Sequence, residues 1–396
     1  MRRTHLGPVP VLLAAALLLG TVGAACSSST DDGAVPTTAT TLAKGEPVFA
    51  GPGPYDVGFT SLALPDRKVA VWYPAPKGSS RGRQPATYSQ LDALPEGLAA
   101  AAPKLLPAGT DLTFTMPTSF AGLPAAPDGP FPLVVFSHGF GSFRLDASSV
   151  VAGIASWGFV VAAPEHTERD RAALVGGKIA GGVADVTAKD VAVITDTIAL
   201  VGGAPTAPLA GLSDTKRVGV VGHSAGGRAA LSALSTDQVD VAVGWAPAGR
   251  WDRPAPDKPS MLIAARVDVL VPLEEVRATF AGLSPVKRLV VMDRTGHNTF
   301  TDICKAVQEG KDLIGLAEKA GLAIPPDLAR GGRDGCTPGT LPTSTGWAVT
   351  QHFTVAELRN TLVPGDTGAG LGPKVATGFP GATIEYRTVG GGNNGN

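Results

Sequence analysis

The sequence predicts an α/β domain: a mostly parallel central sheet with helices on both faces. Three observations predict it. Short valine- and alanine-rich runs recur between helix-patterned stretches, several of the runs are apolar throughout as strands buried on both faces are, and the length suffices for one large core. The chain has 396 residues, 44% hydrophobic and 17% charged. Its 51 glycines and 34 prolines follow no strict repeat, which excludes a fibrous or solenoid architecture.

Taken in order, "VGFTSLALPDRKVAVWYPA" (residues 57–75) reads as two strands around a Pro-Asp turn. Residues 76–130 are turn-rich, with one helix at "LDALPEGLAAAA". "FPLVVFSHGFGSFR" opens with a buried strand, Phe131–Ser137, and ends in a glycine loop; "ASSVVAGIASWG" is helical and "FVVAAPEHTERD" begins as a strand. The helix "DVTAKDVAVITDTIALV" precedes the strand "RVGVVGHS", and "AGGRAALSAL" is the next helix. "VDVAVGWAP", "PSMLIAARVD" and "VKRLVVMDRTGH" add three strands, with the helix "LEEVRATFAGL" between the last two. "GWAVTQHFTVAELRNTL" is a final helix.

The first residues stand apart from this domain. "MRRTHLGPVPVLLAAALLLGTVGAAC" has two arginines, an apolar stretch, small residues and then Cys26, so residues 1–25 read as an export signal. Pro8 and Pro10 leave the apolar stretch short of a membrane span. "VGAAC" resembles a bacterial lipoprotein processing site, which makes Cys26 the expected lipidation site; ordinary secretion and an uncleaved anchor are the alternatives. Residues 26–48 read as a flexible linker and 49–390 as the folded domain. The expected location is the cell surface or the medium, with membrane association only through a lipid on Cys26. A formal charge of -1 without a basic stripe argues against nucleic-acid binding.

The chemistry gathers at "VVGHSAGG". Gly222 and Gly226 flank Ser224 in a G-x-S-x-G pattern between a strand and a helix, where the chain must reverse tightly and present the serine from a strained corner. A neutral serine needs a histidine base and an acid to orient it. Of six histidines, His5 belongs to the signal, His138 and His166 follow earlier strands, His223 lies in the turn itself and His352 in a helix. His297, on the loop after the last clear strand, is the expected base. Asp268 and Asp293 both end strands, and the order Ser, Asp, His admits either. Asp268 is favoured because it sits one strand away from the histidine loop. Arg266, two residues before it, either tunes that carboxylate or faces solvent.

An oxyanion needs two backbone N–H donors. Ala225 supplies the first, and the "SHGFG" loop the second, at Phe140 with Gly139 as the alternative. Phe143, Trp245 and Phe300 are candidate pocket walls, with core packing as the other reading. Cys304 and Cys336 are expected to form a disulfide, since two cysteines remain beyond the signal in an oxidising compartment.

In "VWYPA", "FPLVVFSHGFGSFR", "IASWGFVVAAPEHTERDR", "GHSAGG", "LIAARVDVLVP" and "GHNTF", the chain resembles α/β-hydrolases. The branch includes bacterial platelet-activating-factor acetylhydrolase-like proteins, cutinase-like polyester hydrolases and dienelactone-hydrolase-like enzymes. The resemblance spans residues 52–363 and implies an α/β-hydrolase fold with Ser224, Asp268 and His297 as triad, and Phe140 and Ala225 as oxyanion donors. It implies a serine carboxylic ester hydrolase, lipase-like in chemistry, acting on a small-molecule or lipid ester without metal or organic cofactor; a monomer is expected. Phospholipase A2-type acetylhydrolase, polyester hydrolase and acyltransferase activities use the same triad, and a surface binding protein that has lost activity is the reading of a different class. One departure is a cysteine-bounded insertion at about 304–345, a candidate cap over the active site that would narrow the substrate range and counts against polyester hydrolysis, which needs an open groove.

Overall fold

The computed structural model describes residues 45–179 and 183–390. The segment expected to be an export signal, Cys26 and the expected linker up to residue 44 lie outside the described residues. Among the described residues twelve strands form: β1 (Asp56–Leu64), β2 (Arg67–Ala75), β3 (Thr87–Ser89), β4 (Thr113–Thr115), β5 (Phe120–Ala121), β6 (Phe131–Ser137), β7 (Val160–Pro164), β8 (Ser213–His223), β9 (Val241–Trp245), β10 (Ser260–Ala265), β11 (Lys287–Met292) and β12 (Ile384–Val389). Ten of them make one sheet in the order β12-β11-β10-β9-β8-β6-β7-β2-β1-β5, while β3 and β4 pair separately. The pairs from β7 through β6, β8, β9 and β10 to β11 are all parallel. β2 joins β7, β1 joins β2, and β12 joins β11 antiparallel. The mostly parallel α/β class is therefore the observed one.

Alternation along the strands explains the apolar runs. In β6, Val134 and Phe136 enter one core and Leu133 and Val135 the other; in β11, Val290 and Met292 separate likewise from Leu289 and Val291. Both faces are covered, so nearly every position must be apolar. Helices α1 (Glu96–Leu105), α2 (Ser148–Ala155), α3 (Arg171–Val175), α4 (Val183–Gly202), α5 (Ala225–Ala233), α6 (Leu273–Gly282), α7 (Ile303–Gln308), α8 (Leu313–Lys319), α9 (Pro326–Gly332), α10 (Thr343–Leu362) and α11 (Pro373–Ala376) complete the element set. α2 and α10 cover the first face through Ile154 and Phe353, and α4, α5 and α6 the second through Ile194, Ala230 and Val276.

The chain runs from β6 to β7 on one side and then returns to β8 on the other. The strand order thus reverses between β6 and β8, where loops leaving the carboxyl ends of parallel strands diverge and open a crevice. The glycine loop follows β6 and the serine turn follows β8, so this crevice holds both.

Candidate active site

Ser224 sits between β8 and α5 with φ 56° and ψ -118°, in the left-handed region that costs a non-glycine residue backbone strain. The flanking glycines are dictated by backbone. A Cβ at Gly222 would lie 2.1 Å from the Gly226 oxygen, and one at Gly226 would lie 1.9 Å from the Ser137 oxygen. The strained serine is held on both sides: its N–H donates to the Trp245 carbonyl at 2.8 Å, and its carbonyl accepts from Ala248 N–H at 3.0 Å. Ala225 is the first residue of α5, so its N–H precedes the intrahelical ladder.

The histidine loop brings His297 to this corner. The neighbouring His223 packs on it with ring centroids 4.6 Å apart, and His223 Nε2–H donates to the His297 carbonyl at 2.9 Å. Burial, reinforced by the adjacent His297, holds the His223 pKa well below its ordinary value, so His223 is a neutral donor that fixes the loop. His297 Nδ1 lies 2.8 Å from Asp268 Oδ2. The other Asp268 oxygen accepts the N–H groups of Leu270 and Val271 at 2.8 and 2.7 Å, so the carboxylate cannot swing away. With Nδ1 engaged, the imidazole presents Nε2 on its far side.

Asp293 takes no part in this arrangement. Its carboxylate pairs with Arg266, whose guanidinium also reaches Glu385 at 3.2 Å on β12. Arg266 therefore serves Asp293 and the sheet edge, and the tuning of Asp268 considered from sequence has no contact behind it.

The glycine loop is organised by a side chain that sequence reasoning passed over. Arg169 is wholly buried and donates to the carbonyls of His138 and Gly139 and to Ser137 Oγ. Its Nε is held by both oxygens of Asp190 at 2.9 and 3.1 Å. A trans peptide points its N–H opposite to its C=O. Drawing the His138 and Gly139 carbonyls to Arg169 therefore turns the Gly139 and Phe140 N–H groups the other way. Gly139 itself abuts the serine, for a Cβ there would stand 3.3 Å from Ser224 Cβ. His166 completes the cluster through Ser137 Oγ at 2.9 Å, with Nδ1 2.9 Å from Asp190 Oδ1. Burial, together with the Arg169 charge, lowers the His166 pKa to about 4 and keeps it neutral. The signal in sequence was the polar run "EHTERDR", too dense in charge for a strand end exposed to nothing.

The insertion reaches the same place. Cys304 and Cys336 are joined, with Sγ–Sγ 2.12 Å. Asp334, two residues before the second cysteine, accepts the N–H of His297 at 2.7 Å and of Val269 at 3.0 Å. One carboxylate thus ties the histidine loop to the Asp268 loop. Of the aromatic candidates, Trp245 and Phe300 are fully buried in the core, and the Trp245 N–H is satisfied by Thr354 at 3.0 Å. Trp245 reaches the serine through its carbonyl and not its ring. Phe143 is also core-packed, against Tyr88, and lies below Arg171. His352 is structural, bridging Phe49 N–H and the Gly370 carbonyl.

Comparison with known proteins places this geometry. Residues 48–187 match the family profile described as "Platelet-activating factor acetylhydrolase, isoform II", and residues 119–281 match "Dienelactone hydrolase family". Each match covers less than half of the chain; together they include the glycine loop, Ser224 and Asp268 but stop short of His297. A platelet-activating factor acetylhydrolase of Cavia porcellus is 49% identical over 43 residues, 11% of this chain and 10% of that protein. A ferulic acid esterase from Streptomyces cinnamoneus superposes with TM-score 0.61 at 22% identity, over 85% of this chain and 98% of that one. The chain has the α/β-hydrolase fold, and its two matched segments resemble hydrolase families.

Proposed function

We propose that the protein is a carboxylic ester hydrolase working through an acyl-enzyme on Ser224. The observation that carries the reading is the Asp268–His297 pair, at 2.8 Å, with His297 packed on His223, the residue that precedes a strained serine at a helix start. In the first half-reaction Ser224 Oγ forms a bond to the ester carbonyl carbon while its proton passes to His297 Nε2. The carbonyl oxygen becomes an oxyanion, for which the N–H groups of Phe140 and Ala225 are the assigned donors. Collapse breaks the bond to the alcohol oxygen, which leaves with the proton from His297. Water then repeats the sequence and releases the acid. Asp268 holds the imidazole in the tautomer with Nδ1 protonated and stabilises the imidazolium that forms.

The matches to acetylhydrolase and dienelactone hydrolase profiles and the likeness to an esterase in fold support ester chemistry, and a small-molecule or lipid ester as substrate. Residues 1–26 point to export with Cys26 as anchor, a reading that the Cys304–Cys336 disulfide supports because such bonds persist in oxidising compartments. Incubation with a fluorophosphonate followed by peptide mass mapping tests the mechanism. A single adduct on Ser224, with loss of p-nitrophenyl acetate hydrolysis in proportion to labelling, is expected. Undiminished hydrolysis by the fully labelled protein would overturn it.

A further inference from the structure

Beside the glycine loop lie two cavities that share a wall. The first, about 200 Å³, is bordered by Gly141, Tyr88, Gln90, Arg171 and Asp302. The second, about 420 Å³, is lined only by leucine, isoleucine, valine and alanine, among them Leu98, Leu105, Ala317 and Leu322. Leu174, Val175, Leu313, Ile314 and Leu328 line both.

The apolar cavity follows from helix periodicity. Leu98, Ala102 and Leu105 share one face of α1, and Leu313, Leu316, Ala317 and Ala320 share one face of α8 and its end. Such faces normally close on each other. Here they stand apart around open space, leaving Leu105 at 50% and Leu322 at 53% exposure. The smaller cavity supplies an independent observation. The Tyr88 hydroxyl and Asp302 Oδ1 are buried without a hydrogen-bond partner, and both residues line it. Unpartnered buried groups of this kind are costly unless a ligand meets them. The glycine loop touches both the serine and the shared wall: Gly139 abuts Ser224, and a Cβ at Gly141 would lie 2.6 Å from Leu174 Cδ2. α3, which carries that wall, is bonded to the loop through Arg171 N–H and the Ser142 carbonyl at 2.8 Å.

We infer that the paired cavities hold the aliphatic chain of an amphiphilic ester, with the chain among the leucines and a hydroxylated portion between Tyr88 and Asp302. The inference rests on the esterase reading above and specifies its substrate class. A second protein is disfavoured as occupant because the polar cavity, at about 200 Å³ and bordered by Gly141 of the glycine loop, is too small for a side-chain-bearing segment. The chain belongs to either the acyl or the alcohol side of the ester.

Two substrate series decide: p-nitrophenyl esters from acetate to dodecanoate, and alkyl acetates from methyl to dodecyl. In one of them kcat/KM is expected to climb roughly threefold to fourfold per methylene before a plateau. Ala317→Phe, which fills the cavity, should abolish the climb while Ser224 still reacts with a fluorophosphonate. Leu322→Ser, an exposed change that strips the wall, should blunt the climb. Calorimetry of 1-dodecanol with the Ser224→Ala protein gives a readout free of catalysis. Binding is expected, weakened at least tenfold by adding Ala317→Phe and roughly twofold to tenfold by adding Tyr88→Phe. Ester turnover without chain preference, together with no dodecanol binding, would overturn the inference alone. Dodecanol binding without any Ser224-dependent turnover would instead overturn the esterase reading. A dimer lost in Ala317→Phe, with both substrate profiles flat, would assign the cavity to a second copy and also overturn it.

Discussion

Asp302 offers a stability test with a definite sign. It is 2% exposed, and only one of its oxygens is used, accepting Ser148 Oγ at 2.6 Å and Ser149 N–H at 3.1 Å. Burial raises its pKa from the ordinary 3.8 to about 6, with the two serine contacts opposing. Because the folded-state pKa is the higher one, the folded protein binds the proton more tightly than the unfolded chain. Below the ordinary value both states are protonated and nothing is lost. As pH rises toward 6, stability falls by about 1.4 kcal/mol per unit, and above that it stays reduced by about 3 kcal/mol. The carboxamide of an Asp302→Asn variant would keep an acceptor for both serines and does not titrate. Relative to wild type, the variant should therefore gain roughly 2 kcal/mol between about pH 4.5, where the wild-type penalty is about 1 kcal/mol, and about pH 8. Urea unfolding of both proteins at the two pH values measures this double difference, in which every other group cancels. A wild type that gains on the variant as pH rises, or a difference independent of pH, would refute the reasoning.

Ser224→Ala and His297→Ala should each lower kcat by about 10⁴ or more, with Asp268→Asn somewhat less severe and Asp293→Asn nearly neutral, as steady-state ester hydrolysis would show. Collapse on Asp293→Asn with near-normal turnover for Asp268→Asn would exchange the two aspartates. Arg169→Met should destabilise by about 3–5 kcal/mol, because Asp190 is left buried without its cationic partner, and should cut kcat roughly 100-fold through the misaligned loop. Adding Asp190→Leu should restore stability but not kcat; recovery of both would make Arg169 a folding residue only. Replacing Cys304 and Cys336 together with serine should remove roughly 4 kcal/mol of loop-closure stabilisation and lower the melting temperature in calorimetry, while Ser224 still reacts with a fluorophosphonate.

The features legible in sequence are those enforced over a few residues. Gly222, Ser224 and Gly226 stand four positions apart or less, and a side chain at Gly222 would strike the Gly226 and Gly227 backbone of that same turn, although one at Gly226 would strike the Ser137 and His138 backbone of the glycine loop. The strands β6 and β10, the later half of β8 from Val218 and residues 289–292 of β11 are apolar because both faces are covered, and that needs no knowledge of which partner lies beside them. The strand end at Met292 and the loop to His297 followed from the same pattern. What only the tertiary structure decided involves groups brought together from distant places. Asp268 and Asp293 follow adjacent strands, the first three residues beyond β10 and the second directly after β11; Asp293 is drawn aside because β12, whose half-polar "IEYRTV" carries no strand-alternation signal of a buried kind, supplies Glu385 to share Arg266 with it. Trp245 became a core residue because Thr354, 109 positions away, satisfies its N–H. Arg169 reaches back 30 residues to the Gly139 carbonyl, and Asp334 reaches 37 and 65 residues to His297 and Val269. Local sterics write themselves into short motifs, whereas a long polar side chain acquires its role from whichever backbone the fold delivers to its end.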